Sequence, residues 1–445
     1  MQGYLPDYEI NPTTWAYLSS LLTIGIFFKF HRFWSVRNLD LIGLIAFSPA
    51  LLWMIYDRER GAYVWLFAVG GLFLVRLLAD PLMVRRPLLE PNLNASGLAF
   101  TGIALLVFLM TNVATGKMYP LATHGAGDVA VHDSAPRPLF YRMARLPEPP
   151  DERDAASQPE PSESQRARVA AVRAVAVAAH LAMVIAITLV GYRHFDNVHT
   201  GVAMASLYLL LPYTSQMTPR VDHVVPGALL VWAVASYRRP LLAGAAIGLA
   251  GALIGYPLFL LPLWCSFYWR RGLFRFVFGV LIGLVALAAL LLAAIVVAKL
   301  SGFDGVGSFG DRLRETLAWA QPSFGAADGF WTYHGQALRI PVMAAFAVLC
   351  GSLALWPAQK NLGTLLSCSA AVMLAEQFWQ HHQGGLYMAW YLPLLVLTIF
   401  RPNLDDRVAV TAVTEARPWG VTADGIAEWV ERRLPGRRRR QPSRA

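Results

Sequence analysis

Long apolar runs alternate with short polar connections along most of this chain. A helix needs roughly 20 residues to cross the hydrocarbon core of a bilayer, and only a helix satisfies its own backbone hydrogen bonds there. The pattern therefore predicts an all-α fold, a polytopic transmembrane helical bundle with about 11 crossings. The predicted spans are 14–30, 39–56, 62–79, 97–114, 169–191, 199–217, 221–237, 273–299, 338–356, 362–379 and 386–400.

The apolar segment 240–269 does not fit a single crossing. Gly255, Tyr256 and Pro257 interrupt it, and a second proline follows at Pro262. It is too short for two full crossings and too long and broken for one. Proline removes a backbone donor, which is tolerated at membrane depth only if neighbouring helices cover the break. We therefore predict a re-entrant helical hairpin at 240–269.

Basic residues flank alternate boundaries of the predicted spans. If the N-terminus is outside, these residues fall on the cytoplasmic side, as the positive-inside rule requires. This holds only if 240–269 enters and leaves on the same face, because both of its flanks, YRRP and YWRRG, are basic. The first residues carry no Lys or Arg, so the first run is expected to be a retained anchor and not a signal peptide. The alanine- and arginine-rich composition favours a bacterial inner membrane.

Three regions follow from this topology. They are N-terminal transmembrane helices (1–96), a transmembrane core (97–403) with outward loops 115–168 and 300–337, and a basic cytoplasmic tail (404–445). Residues 146–168 are rich in Pro, Glu, Asp and Ser and are expected to be disordered.

Composition narrows the class of partner. Hydrophobic residues make up 56% of the chain and charged residues 15%, where a soluble protein has about a quarter charged. The net charge of +10 arises at helix ends and in the tail, where topology explains it, so membrane lipids and not nucleic acid are the expected partner. Cys265, Cys350 and Cys368 stand singly, so neither a disulfide framework nor a zinc site is indicated.

The first outward loop holds two candidate acids, Asp128 and Asp133. They are flanked by His124 and His132, and imidazole with carboxylate suits a divalent cation, although no residue here is assigned as a metal ligand. A solvated loop explains the same residues.

Two further outward segments place ionisable groups at a predicted membrane boundary. Arg220, Asp222 and His223 crowd together between two prolines, and interfacial anchoring is the alternative explanation. Glu376 lies in the final turns of its span, where an acid must find a partner or change its protonation. Two histidines and three aromatic residues follow it, and the aromatic residues are typical of an interfacial belt: His381, His382, Tyr387, Trp390 and Tyr391.

One charged pair lies on the opposite side. Arg76 and Asp80 are four residues apart in the third span and so share a helix face. We expect the two charges to neutralise each other near the inner boundary.

Residues 201–272 carry an ordered set of short motifs. They read Leu-Leu-Ala-Gly at 241–244, Gly-Leu-Ala at 248–250, Tyr-Pro at 256–257 and Leu-Leu-Pro at 260–262, between basic pairs. This stretch resembles the GT-C class of membrane glycosyltransferases, and in particular its polyprenol-phosphate-mannose-type members. Many members carry a lysine before the aromatic-Pro break, where this chain has glycine.

The resemblance implies a donor in which a sugar is linked to a polyprenyl phosphate, and transfer to an acceptor on the outer face with inversion. It places Asp128 or Asp133 in the position of the catalytic acid of the outward loop. We expect Asp222 to be a supporting acid and Glu376 to bind substrate. The candidates for contact with the phosphate are Arg220, His223, His381 and His382.

Two other classes remain open. A transporter or flippase would use a broken helix such as 240–269, although no matching broken segment is evident elsewhere and few ionisable residues lie deep in the spans. A non-catalytic scaffold would use its loops and tail to bind partners. Convergence of the outward acids on one cavity would favour the enzyme. The sequence indicates no sugar, acceptor or oligomeric state.

Overall fold

The computed structural model describes residues 11–55, 59–83, 89–115, 163–216, 220–269, 271–300, 329–357, 360–380 and 384–404. The regular secondary structure of these ranges is helical and contains no β-strand, which confirms the predicted all-α class. The α-helices are α1 Pro12–Phe27, α2 Val36–Ile45, α3 Ser48–Ile55, α4 Glu59–Leu78, α5 Ala95–Thr115, α6 Glu163–His194, α7 Val198–Leu210, α8 Pro212–Gln216, α9 Val221–Ala235, α10 Pro240–Ile254, α11 Leu261–Phe267, α12 Leu273–Leu300, α13 Phe330–Tyr333, α14 Arg339–Leu355, α15 Leu362–Glu376 and α16 Leu392–Phe400. Short 3-10 turns occupy Phe30–Arg32, Asp80–Leu82, Tyr256–Leu260, Gln336–Leu338 and Met388–Trp390.

Six helical segments of the described part are long and apolar enough to cross a membrane. They are Val36–Met54, Arg60–Leu82, Ala95–Ala114, Ala170–His194, Leu273–Leu290 and Gln336–Leu355. These segments are compatible with a multi-pass membrane protein. Shorter apolar helices coincide with several other predicted spans, so the number of about 11 crossings stays a prediction.

Segment 240–269 folds back on itself, as its proline break predicts. Helix α10 ends at Gly255, which has a φ of 74°, and the 3-10 turn and α11 lead the chain back. Helices α10 and α12 run parallel, because successive residues of α10 contact successive residues of α12 in the same order along the chain. The contacts that show this are Pro240 with Gly272, Gly244 with Phe276, and Gly248 with Val280. Both ends of the segment therefore lie side by side, which is the geometry of a helical hairpin.

A second helix is also broken. Helix α7 ends at Leu210, and after Leu211 the chain restarts as α8 at Pro212. The span predicted as continuous over 199–217 is therefore interrupted at Leu211. Pro212 lacks the backbone donor that a continuous helix would need at this position.

The helical bundle has two ends, which we call the Arg401 end and the Glu376 end after a residue that lies at each. At the Arg401 end, Gly363 of α15 lies against Arg401, and the Lys360 Nζ donates a hydrogen bond to Ser266 Oγ at 2.9 Å. Burial lowers the pKa of the Lys360 ammonium group, whose other hydrogen bonds go to backbone carbonyls of the preceding turn. Helix α15 connects this end to Glu376 over 15 residues, about 22 Å.

A buried charge network ties the Arg401 end together. Arg76 donates to Asp40 at 3.0 Å and to Asp80 at 2.8 Å, and the Arg401 Nε donates to Asp80 at 3.0 Å. The predicted pairing of Arg76 with Asp80 is thus present, within a larger set that includes Asp40 and Arg401. Because one arginine comes from α4 and the other follows α16, the network joins the N-terminal helices to the last helix.

The central helices are shorter than those around them. Every residue of α15 and of α16 is buried, and these helices have 15 and 9 residues, whereas α4 has 20. Since α4 and α15 are level at the Arg401 end, the difference of about 7 Å falls at the Glu376 end. There Phe67 of α4 packs against Phe378 with ring centroids 5.1 Å apart, and α4 continues toward Glu59. At the Glu376 end, the described parts of α15 and α16 therefore stop short of the end of α4.

Candidate functional site

The structure describes some of the predicted site residues and not others. Asp128, Asp133, His381 and His382 lie outside the described residues. Asp222 belongs to the first turn of α9, and its side chain is also outside the described set. The described candidates, Arg220, His223 and Glu376, are all buried and lie at one end of the bundle.

His223 starts a column of stacked rings. Its Nδ1 and the Tyr213 hydroxyl are 2.7 Å apart and hydrogen-bonded, and its ring lies on Tyr387 with centroids 4.6 Å apart. Tyr387 in turn stacks on Trp390 at 4.4 Å. Arg220, the N-cap of α9, acts electrostatically on the same Tyr213 hydroxyl. The predicted cation and imidazole therefore flank one tyrosine.

The tip of the hairpin extends this column toward α15. Tyr256 immediately follows the break, and its ring lies 5.5 Å from Trp390 and 6.0 Å from Trp379. The Gln380 side chain hydrogen-bonds the Tyr256 hydroxyl, and the Glu376 carboxyl group interacts with it electrostatically. The break in 240–269 thus places the Tyr256 side chain at the Glu376 end.

Glu376 is fully buried, with 0% of its surface exposed. Its Oε2 accepts a hydrogen bond of 2.6 Å from Gln377 Nε2, while its Oε1 has no hydrogen-bond partner among the described residues. Gln377 Oε1 accepts from the backbone N–H groups of Gly385 and Tyr387 at 3.1 and 3.2 Å. One glutamine side chain therefore fixes both the carboxylate and the segment that carries Tyr387.

Two more buried polar atoms lie in the turn after Glu376. Trp379 Nε1 and Gln380 Oε1 have no hydrogen-bond partner within the described ranges. Arg339 holds this turn from α14, because its Nε donates to the Trp379 carbonyl at 2.6 Å and its guanidinium lies 5.9 Å from the Trp379 ring centroid. A buried polar atom without a partner costs free energy, and a ligand or water that pairs with it relieves that cost.

The aromatic residues of the last loop differ from the expectation. Tyr387, Trp390 and Tyr391 are predicted to form an interfacial belt, yet Trp390 and Tyr391 are only 2% and 1% exposed. The reason is the shortness of α16, which places the start of the helix only about 14 Å from Arg401. Irregular backbone at that depth must be covered by protein or line a cavity.

Sequence reasoning missed Tyr256, Trp379, Gln380 and Arg339 as members of this cluster. The signal available was the spacing Glu376, Trp379, Gln380, which puts three polar-bearing side chains on one side of a helical turn. Arg339 carried no local signal, because its partner comes from a different helix.

The cluster combines the groups that complement an organic ligand. Aromatic rings supply apolar faces, and the carboxylate, amide and indole groups supply directional hydrogen bonds. Among the described residues, no group of three or more His, Cys, Asp or Glu side chains could hold a metal ion. No protein-family model matches the chain, and no curated protein or solved structure matches it significantly.

Proposed function

We propose that this chain is an integral membrane glycosyltransferase that moves a sugar from a polyprenyl-phosphate donor to an acceptor at the Glu376 end. The observation that carries the proposal is the fully buried Glu376 carboxylate, whose Oε1 has no partner among the described residues, beside a column of aromatic rings. Sugars present hydroxyl groups and apolar ring faces, which such a cluster complements. The motif resemblance in 201–272 gives the reaction class.

We assign the Glu376 end to the outer face of a cell membrane. Most basic residues that flank helices in the described ranges lie at the opposite, Arg401 end, and the positive-inside rule assigns that end to the cytoplasm. They are Lys29, Arg32, Arg193, Arg238, Arg239, Arg271, Arg275 and Lys360. The first helix would then start outside, and the tail that follows residue 404 would be cytoplasmic.

The orientation predicts the behaviour of fused reporters. Alkaline phosphatase, which is active only outside the cytoplasm, should be active when fused at residue 130 and inactive when fused at residue 238. A fluorescent protein fused after residue 445 should be bright, because it would fold in the cytoplasm. Phosphatase that is silent at residue 130 would place the outward loop inside and overturn the assignment.

The reaction makes two demands on the polar residues, a general base and a set of cationic groups. A general base must lie within hydrogen-bond reach of the acceptor hydroxyl, and we assign this to Asp128 or Asp133 with Asp222 in support. Cationic groups must meet the leaving phosphate as its charge develops. We assign that role to Arg220, His223, His381 and His382. Glu376 binds and orients the sugar, and the polyprenyl chain lies against the lipid-facing helices.

A transfer assay on the purified chain in lipid vesicles tests the proposal. Labelled polyprenyl-phosphate sugars and candidate acceptors are supplied on the Glu376 side, and labelled product is measured. Glu376→Gln should reduce transfer about 10- to 100-fold, because it replaces one of the two carboxyl oxygens that can accept a hydrogen bond. Replacing the catalytic member among Asp128, Asp133 and Asp222 by asparagine should cost about 100-fold or more.

Glu90→Gln is the matched control, because Glu90 is exposed on the segment before α5 and far from Glu376. It should leave transfer unchanged. Unchanged transfer in all three aspartate variants would discard the catalytic assignment, and an unaffected Glu376→Gln variant would discard the site.

Transport is the second candidate, because helices in the described part of the chain break at Leu211 and at Gly255. Broken helices near a binding site are a feature of secondary transporters. The same vesicles distinguish the two functions when acceptor is left out. Movement of labelled lipid-linked sugar between leaflets without product would favour a flippase, and absence of both activities would favour a scaffold.

A further inference from the structure

We infer that Glu376, Trp379 and Gln380 form a subsite that binds the hydroxyl groups of an uncharged sugar ring, separate from the groups that meet the phosphate. This inference rests on the proposed function in placing a sugar at the Glu376 end. Its own basis is three buried polar atoms without hydrogen-bond partners among the described residues: Glu376 Oε1, Trp379 Nε1 and Gln380 Oε1.

The three atoms come from one turn of chain. Their side chains converge on Tyr256, whose ring lies 6.0 Å from the Trp379 ring and whose hydroxyl interacts with the Gln380 amide and the Glu376 carboxyl group. The turn is tight here, because the Trp379 N–H donates to the Glu376 carbonyl at 3.2 Å, three residues back. All three side chains are more than nine-tenths buried, so bulk water does not serve these atoms freely.

The set contains two acceptors and one donor, which selects the ligand. A carboxylate oxygen and an amide oxygen accept hydrogen bonds, and an indole N–H only donates. Vicinal hydroxyl groups do both, so one sugar ring satisfies all three atoms. A phosphodiester has no hydrogen to donate to the two acceptors, and a metal cation would gain nothing from the indole N–H. The arrangement therefore favours a neutral polyhydroxyl ligand.

The subsite is held in place by its neighbours. Gln377 fixes the other oxygen of Glu376, and the Arg339 Nε donates to the Trp379 carbonyl at 2.6 Å. The Trp379 ring is packed edge-on by Phe259 at 5.9 Å and lies 5.6 Å from Phe346. A rigid set of partners lowers the entropic cost of binding and raises selectivity among hydroxyl configurations.

The phosphate candidates occupy a different part of the cluster. Arg220 and His223 meet at Tyr213, on the far side of Tyr387 and Trp390 from Trp379. The aromatic column thus separates a cationic group from a hydroxyl-binding group. A lipid-linked sugar has the same division, with a charged phosphate joined to a neutral ring.

Saturation-transfer NMR on the full chain in lipid nanodiscs tests the inference. The probes are methyl mannoside, methyl glucoside and methyl galactoside, each as a free glycoside without phosphate or lipid. At least one should bind, and binding should weaken about 5- to 10-fold in Trp379→Phe and in Gln380→Leu, which remove the indole N–H and the side-chain amide and keep most of the volume. Trp269→Phe is the matched control, because Trp269 is exposed at the Arg401 end.

Each outcome decides one claim. Absence of binding by every glycoside, or equal binding in Trp379→Phe, Gln380→Leu and the native chain, overturns the subsite. The subsite is also overturned if inorganic phosphate or calcium ions displace the glycoside from the native chain and Trp379→Phe abolishes that displacement. Glycoside binding at this subsite without any sugar transfer supports the subsite and overturns the glycosyltransferase. Transfer with no glycoside binding does the reverse.

Discussion

Gly248→Leu is expected to lower the free energy of unfolding by at least about 3 kcal/mol, or to prevent folding. A Cβ atom at Gly248 would collide with the backbone carbonyl oxygen of Val280 on the parallel helix α12. Backbone cannot rotate away as a side chain can, so the hairpin and α12 would have to separate. Small residues at helix contacts in membranes allow this close approach.

The measurement uses the chain's own thiols. Cys350 and Cys368 are buried, so a thiol-reactive dye labels them only as the protein unfolds on heating in detergent. Gly25→Leu is the matched control, because a Cβ atom at Gly25 meets nothing within 4 Å. Gly248→Leu should label at a much lower temperature than Gly25→Leu. Equal labelling temperatures would show that α10 and α12 are not in contact at Gly248.

Arg401→Met is expected to lower the free energy of unfolding by about 3–5 kcal/mol, because it removes one partner from a buried ion pair. Asp80 is fully buried and would lose Arg401, while Arg76 would still be shared between Asp80 and Asp40. The same dye assay reports the loss. Arg32→Met is the control, since Arg32 is exposed at the same end.

A double variant separates charge from packing. Asp80→Asn combined with Arg401→Met leaves Arg76 paired with Asp40 and restores neutrality. It should be more stable than either single variant, since coupled residues are not additive. A double variant whose losses simply add would contradict the network, and would point to lost packing of the arginine against Gly363.

The helices themselves were predictable because apolar runs and prolines are local signals. Gly255 and Pro257 predicted the break in the hairpin, and Gly255 has a positive φ in the structure. Pro212 is an equally local signal for a helix break, but the leucines before it made the apolar run 199–217 read as one continuous helix. The number of crossings is a different matter, because short central helices cannot be told from full spans by composition alone.

Long-range partners were not predictable. The pair Arg76 and Asp80 followed from its spacing, whereas Asp40 and Arg401 have no sequence relation to it, and Arg401 is 321 residues from Asp80. The site shows the same limit. Topology put His223 and Glu376 at one end, but only packing shows that Tyr256 and Arg339 reach the turn at Trp379.

The distance along the chain between Asp80 and Arg401 has a consequence for biosynthesis. At roughly 5–20 residues per second, a ribosome makes Arg401 about 15–60 s after Asp80. During that interval the carboxylate lacks its second arginine, while Arg76 is shared with Asp40. The earliest helices are therefore made before Arg401 exists, and their final docking waits for the last helix to be translated.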